Sequence, residues 1–206
     1  MGCGPPERHA LGPARSTVDT KAPPSEATLL GAASGSVFPG GVRQLGFVVS
    51  DIDAAIAQWA NLGVGPWLAM REIPLAGNYR GTPSEPTISV ALANTGDMQI
   101  ELMQQHCDTP SIYQEFMSAT GGGFNQVAYW VEDFAAARNA ALADGWTEVW
   151  SGDAGGQANF SYLERADAPV AIVELTEYNA LSRSVNDAIR AAAATWKPGE
   201  PIFMSL

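Results

Sequence analysis

Hydrophobic and polar positions follow two different periods along this chain, and the switch from one to the other occurs twice in the same order. Gln44-Leu-Gly-Phe-Val-Val-Ser-Asp51 is a β-branched and aromatic run, and it gives way to helical spacing from Ala54 that stops at Gly63. Gln126-Val-Ala-Tyr-Trp-Val-Glu-Asp133 repeats the run, with helical spacing from Ala135 that stops at Gly145. In both copies the Asp lies seven residues after the Gln and the Gly nineteen after it. Each copy reads as a strand, an N-capping carboxylate, a helix and a C-capping glycine where a left-handed residue costs little. The pattern predicts a duplicated β-α-β unit, with a site where the copies face each other.

Around the repeats the pattern predicts strands at 67–73, 87–93 and 98–103, the last two joined by the hairpin signature Asn94-Thr-Gly-Asp97. Residues 74–86 read as an extended loop held only by Leu75 and Tyr79, and 110–117 as a short helix with Pro110 near its first turn. After the second repeat come strands at 147–151, 158–164 and 170–176. A helix at 180–196 follows, with Leu181, Val185, Ile189, Ala192 and Trp196 on one stripe, expected to serve packing or dimer contact rather than chemistry. Residues 1–37 have no sustained period and hardly any large apolar side chains, so they are expected to be a disordered leader. The resulting division is a leader at 1–37, a first module at 38–120, a second at 121–178, and a helix and tail at 179–206.

Side chains alternate along a strand, so parity assigns faces. Leu45, Phe47 and Val49 take the helix side of the first repeat strand, leaving Gln44 inward. Val127, Tyr129 and Val131 do the same in the second, leaving Gln126, Ala128 and Trp130 inward. The same test turns Glu101 inward within Met98-Gln-Ile-Glu-Leu-Met103, and Glu174 inward within Val170-Ala-Ile-Val-Glu-Leu-Thr176. An unpaired buried carboxylate is expensive, so two of them sharing a face with two repeat-related glutamines call for a chemical reason.

Composition narrows what that reason can be. The 206 residues carry a formal charge of −11, and the cations and anions of the first 36 residues cancel, so the whole excess falls on the remainder. Such a surface repels polyphosphate, which excludes nucleic acid as a partner and weighs against substrates carried on coenzyme A or glutathione. Two cysteines, Cys3 and Cys107, offer no disulfide framework and fit a cytoplasmic location. No apolar run reaches the roughly 20 residues of a membrane-spanning helix.

The runs Gln44-Leu-Gly-Phe-Val-Val-Ser-Asp-Ile-Asp-Ala-Ala, Ile100-Glu-Leu-Met, Pro110-Ser-Ile-Tyr-Gln-Glu-Phe, Gln126-Val-Ala-Tyr-Trp-Val-Glu-Asp and Val173-Glu-Leu resemble the vicinal oxygen chelate superfamily, nearest its glyoxalase-like and epimerase branch. That resemblance implies an α+β fold of two tandem βαβββ modules, whose strands curl into a mixed sheet around a central cleft holding a divalent metal. In the family the first and fourth strands of each module supply the ligands, which here are the positions of Gln44, Glu101, Gln126 and Glu174. His is usual at the Gln126 position and common at the preceding one, which is Asn125. With no imidazole, the set is oxygen-only and suits Mg²⁺, Mn²⁺ or Ca²⁺ more than Zn²⁺, and an iron dioxygenase is excluded.

The chemistry implied is that of an isomerase, epimerase or lyase acting on a small, largely apolar carbonyl or hydroxy compound. Glu101 or Glu174 moves the proton, with a metal or, in a metal-free version, a buried glutamate working alone. Trp67, Tyr79, Trp130 and Phe160 are the expected apolar substrate contacts. The competing expectation is a protein of the same fold that sequesters a small molecule without chemistry. Both modules lie in one chain, which allows a monomer or a homodimer.

Overall fold

The computed structural model describes residues 36–206, so the leader expected at 1–37 lies almost wholly outside the described residues, as do Cys3 and His9. Strand β1 (Gln44–Val48) runs into helix α1 (Ile52–Asn61), and β7 (Gly123–Val131) into α3 (Phe134–Ala143). The caps are as the repeat predicts: the Asp51 carboxylate accepts from the Ala54 N–H at 2.9 Å and the Asp133 carboxylate from the Ala136 N–H at 3.0 Å. Gly63 and Gly145 follow the helices in the left-handed region, at φ 86° and 91°.

The first module continues with β2 (Leu68–Pro74), β3 (Gly77–Tyr79), β4 (Thr82–Ser84), β5 (Thr87–Thr95), β6 (Met98–Gln105) and α2 (Ile112–Thr120). The second continues with β8 (Thr147–Gly152), β9 (Phe160–Glu164) and β10 (Ile172–Glu177), and α4 (Ala180–Ala193) ends the regular structure. All ten strands form one mixed sheet in the order β2-β5-β6-β1-β7-β10-β9-β8-β3-β4. Without β3 and β4 the order is symmetric about the β1–β7 seam. In each half the repeat strand pairs in parallel with its module's last long strand, β1 with β6 and β7 with β10, while β1 and β7 meet antiparallel. This is an α+β fold of paired βαβββ modules.

Parity sorts the core into three clusters. α1 covers Ile100, Leu102, Ala91 and Ala93, with Leu45, Phe47 and Val49 packed against them, and α3 covers Val131, Leu163, Val173 and Leu175. The third cluster lies on the inner face, where Ile112 and Tyr113 of α2 pack on Val48, Met103, Trp150, Phe160, Tyr162 and Ile172.

Two elements differ from expectation. The stretch read as a loop at 74–86 contains a β-hairpin, with Arg80 and Gly81 both left-handed at its two-residue turn (φ 47° and 85°). Its β3 strand leaves the first module and pairs with β8 of the second. Arg80 then fixes the tip, bonding the Glu115 carboxylate at 2.7 Å and that of Glu164 at 2.9 Å, while the Tyr79 hydroxyl bonds Glu115. These partners are more than one-third exposed, so Arg80→Ala is expected to cost only about 1 kcal/mol in urea unfolding. A loss several times larger would mean that the hairpin holds the two modules together.

The second difference is in what α4 covers: it packs on β5, as a packing helix should, and in addition Leu181, Ser182, Val185 and Asn186 line the inner cleft. Asn179 caps it, its Oδ1 accepting from Leu181 and Ser182 N–H at 3.0 Å. Beyond the helix the tail pairs with Trp67, whose N–H donates to the Ile202 carbonyl at 2.8 Å. Among the described residues no helix is long and apolar enough to cross a membrane.

Candidate active site

The inner face of the curled sheet, α2 and α4 enclose a cleft of about 630 Å³. Its walls are mostly apolar, with Leu68, Ile88, Val90, Leu92, Met103 and Phe160 among them. Among the described residues the only charged side chains lining it are Glu101 and Glu174.

These two come from opposite halves, Glu101 from β6 and Glu174 from β10, and Gln126 of β7 joins them. The Gln126 Nε2 donates to Glu101 Oε2 at 3.0 Å and to Glu174 Oε2 at 2.5 Å. The other oxygen of Glu174 accepts from the Thr176 hydroxyl at 2.8 Å. Burial pushes the Glu101 carboxyl well above the usual carboxylate range, and the charge of Glu174 pushes it further. Burial also raises Glu174, with the Thr176 hydroxyl pulling it back part of the way. Two phenols, Tyr113 and Tyr162, sit on the same floor with their oxygens 3.3 Å apart, and burial raises both well above the ordinary phenol value.

Gly46 makes the bridge between the carboxyls possible. It is the residue of β1 that pairs with both Glu101 and Gln126, so the Gln126 side chain must pass over it to reach β6. A Cβ at Gly46 would lie 2.4 Å from Gln126 Cγ and 2.6 Å from its Cδ. Only glycine leaves this path open.

The four oxygen-bearing residues implied by the resemblance are thus not one cluster. Glu101, Gln126 and Glu174 are bonded together, whereas Gln44, one inward position away on β1, donates from Nε2 to Gln99 Oε1 at 2.9 Å. Of the aromatic residues expected at the substrate, Trp130 and Phe160 line the cleft. Trp67 does not: it is fully buried in the α1-side cluster, and its indole N–H is satisfied by the Val64 carbonyl at 3.1 Å. Tyr79 lies on the β3–β4 hairpin, its ring on the inner core and its hydroxyl tied to Glu115, and it is not part of the cleft wall.

Parity leaves Asn125 outward, although the resemblance marks its position, because a β-bulge breaks the alternation of β7. The register slips between Gly46 and Phe47, so Phe47 pairs with Phe124 while Gly46 pairs with Gln126. Phe124 packs its ring against the outward Phe47 at 5.6 Å, and Val127 packs on the α3 side. The two residues between them, Asn125 and Gln126, therefore both turn inward, as a bulge requires. Asn125 is 1% exposed, and neither of its amide atoms has a partner.

Among the described residues no three of His, Cys, Asp and Glu come together. The group that Gln126 turns to both carboxyls is its NH₂, while its oxygen is buried without a partner. The residues in this arrangement turn a donor to both carboxyls where a cation needs an oxygen, and do not fit a cation.

With the geometry in hand, a family model described as the Glyoxalase/Bleomycin resistance protein/Dioxygenase superfamily matches residues 43–163. The chain belongs to this superfamily. The match spans β1 through most of β9 and stops short of Glu174 and α4. No curated protein matches the chain in sequence. Among solved structures, a hypothetical protein from Bacillus halodurans C-125 superposes with a TM-score of 0.51 at 16% identity, covering 68% of this chain and 94% of that one. Methylmalonyl-CoA epimerase from Mycobacterium tuberculosis superposes with a TM-score of 0.50 at 20% identity, covering 73% and 95%. At these identities the likeness is one of fold.

Proposed function

We propose that the cleft catalyses proton transfer at a carbon beside a carbonyl, as an isomerase or epimerase of small, uncharged, largely apolar compounds. The observation that carries this reading is the pair of carboxyls, one from each module, Glu174 buried and Glu101 half-buried, joined by a single amide at the floor of an apolar cleft. One carboxyl in its ionised form takes the proton from the substrate carbon, and the electron pair moves onto the carbonyl oxygen. The other, protonated because burial and its neighbour hold it neutral, returns a proton to carbon, so the two exchange protonation states in each turnover. Among the described residues the lining supplies no cation to meet a phosphate or carboxylate, which favours a neutral substrate over one on a nucleotide carrier, unlike the substrate named for the Mycobacterium tuberculosis structure.

No step in this scheme passes through a metal. Isothermal titration with Mn²⁺ or Mg²⁺ is expected to give no stoichiometric binding. Tight one-to-one binding would mean that the Gln126 amide turns over to present Oε1 beside Glu101 and Glu174, and the metal-assisted version would replace this one.

The reaction is tested by incubating a panel of uncharged ketones with the protein in D₂O and following deuterium at the carbon beside the carbonyl by NMR. Exchange above buffer is expected for at least one ketone, falling about a hundredfold or more in Glu101→Gln or Glu174→Gln. Binding without exchange would leave a sequestering protein. Exchange that survives in both variants would remove the carboxyls from the mechanism.

A further inference from the structure

The second polar feature of the cleft is a chain of four side-chain amides, and its direction is set from one end. The Asn94 Nδ2 donates to the Gly96 carbonyl at 3.3 Å, a group that can only accept, so Asn94 turns its oxygen toward Gln99. Gln99 therefore presents Nε2, which donates to Asn94 Oδ1 at 3.4 Å and to Asn186 Oδ1 at 2.9 Å. Its remaining oxygen faces Gln44 and accepts from Nε2 there at 2.9 Å. Reversing any one amide would set donor against donor or oxygen against oxygen at one junction or more, so the whole chain has a single consistent orientation.

Two ends then remain for a ligand, Asn186 Nδ2 as a donor and Gln44 Oε1 as an acceptor. Among the described residues neither is engaged by a protein atom, and both residues line the cleft. Asn186 belongs to α4, which lies beyond the stretch matched by the superfamily model and closes one side of the cleft. Its neighbours on that wall, Leu181, Val185 and Leu206, are apolar.

We propose that Asn186 is a specificity-determining residue, whose Nδ2 donates a hydrogen bond to a neutral oxygen of the substrate at the α4 side of the cleft. The ligand class is an uncharged hydrocarbon frame bearing a carbonyl or hydroxyl oxygen there. A bare hydrocarbon leaves the fixed donor unpaired, and a donor-only group meets another donor, so the amide chain selects by polarity where the rest of the wall selects only by size. This deepens the function proposed above and rests on it only in taking the cleft as the place where an uncharged molecule binds.

The test uses two probes of matched size, acetylnaphthalene and isopropenylnaphthalene substituted at the same ring position, with dissociation constants from quenching of tryptophan fluorescence. The full chain is expected to bind the ketone about tenfold more tightly than the hydrocarbon. Asn186→Asp keeps an oxygen for Gln99 Nε2 but loses the donor, and is expected to abolish that preference while changing hydrocarbon affinity less than about twofold. Asn186→Leu, which removes both ends, is expected to bind the ketone about tenfold more weakly with the hydrocarbon unchanged or tighter. A preference that persists in Asn186→Asp, or an equal loss for both probes in Asn186→Leu, overturns the assignment. If neither probe binds the unaltered protein, the reading of the cleft as a site for uncharged molecules fails, and this inference fails with it.

Discussion

Gly46→Ala is expected to lower the melting temperature by about 10 °C and to abolish whatever exchange activity the cleft supports. The new methyl group would sit 2.4 Å from Gln126 Cγ and 2.8 Å from Nε2. The atoms that must give way run from the middle of the Gln126 side chain to its amide, and that side chain is fully buried and hydrogen-bonded at its end. The backbone is no easier to move, because β1 is hydrogen-bonded on both sides, to β6 and to β7. Overpacking of this kind costs about 1–3 kcal/mol. Displacing Gln126 then breaks its bonds to Glu101 and Glu174, each worth roughly 1.5–3 kcal/mol where a charged partner is left bare. A loss of about 3 kcal/mol or more corresponds to the stated shift at roughly 2–4 °C per kcal/mol for a domain of this size. The double variant Gly46→Ala with Gln126→Ala relieves the clash, so its loss of stability should be smaller than the sum of the two single losses. Strict additivity would mean that Gln126 does not cross β1 at this point.

The dependence on Gly46 also explains how far the site could be read from the residues alone. Alternation holds along β1, β6 and β10, so the inward positions of Gln44, Glu101 and Glu174 follow from a period of two, and the repeat spacing picks out Gln126. What a period cannot supply is the pairing between modules. Gly46 matters only because β1 meets β7 in a register that lays one glutamine across it, and nothing local to Gln-Leu-Gly-Phe specifies that register. The bulge that turns Asn125 inward is equally silent, since Phe-Asn-Gln-Val carries no glycine or proline to mark it. Trp67 was misjudged because it precedes β2 and falls outside the parity of any strand. Tyr79 was misjudged because Arg80-Gly81 lacks the Asn-Gly or Asp-Gly signature that announces a two-residue hairpin. The stripe on α4 was visible, but an amphipathic stripe says that a face is buried and not against what. The partner is β5 along one side of the cleft, which brings Asn186 into it.

The carboxyl pair makes a second prediction with a definite sign. Both proton affinities are raised in the folded state, that of Glu101 by burial and then by the charge of Glu174, and that of Glu174 by burial. On raising the pH, the unfolded chain releases these protons first, in the ordinary glutamate range near 4.3. From there upward the folded state is disfavoured until the pH passes the raised folded values, after which the cost is constant. The pair's contribution is therefore most favourable in acid and is lost as the pH rises. Glu101→Gln keeps an oxygen for Gln126 Nε2 but cannot ionise, so it removes one share of that loss. Its stability relative to the unaltered protein is expected to be near zero at pH 4 and to grow in the variant's favour through neutrality, by about 1.4 kcal/mol for each tenfold rise in proton affinity that burial imposes. Chemical denaturation of both proteins from pH 4 to pH 9 reads this directly. The same substitution should leave proton exchange about a hundredfold or more below the unaltered protein, so that stability is gained as function is lost. A variant equally destabilised across the whole range would mean that Glu101 is solvated and freely ionised, and the carboxyl pair could not then divide the roles of acid and base.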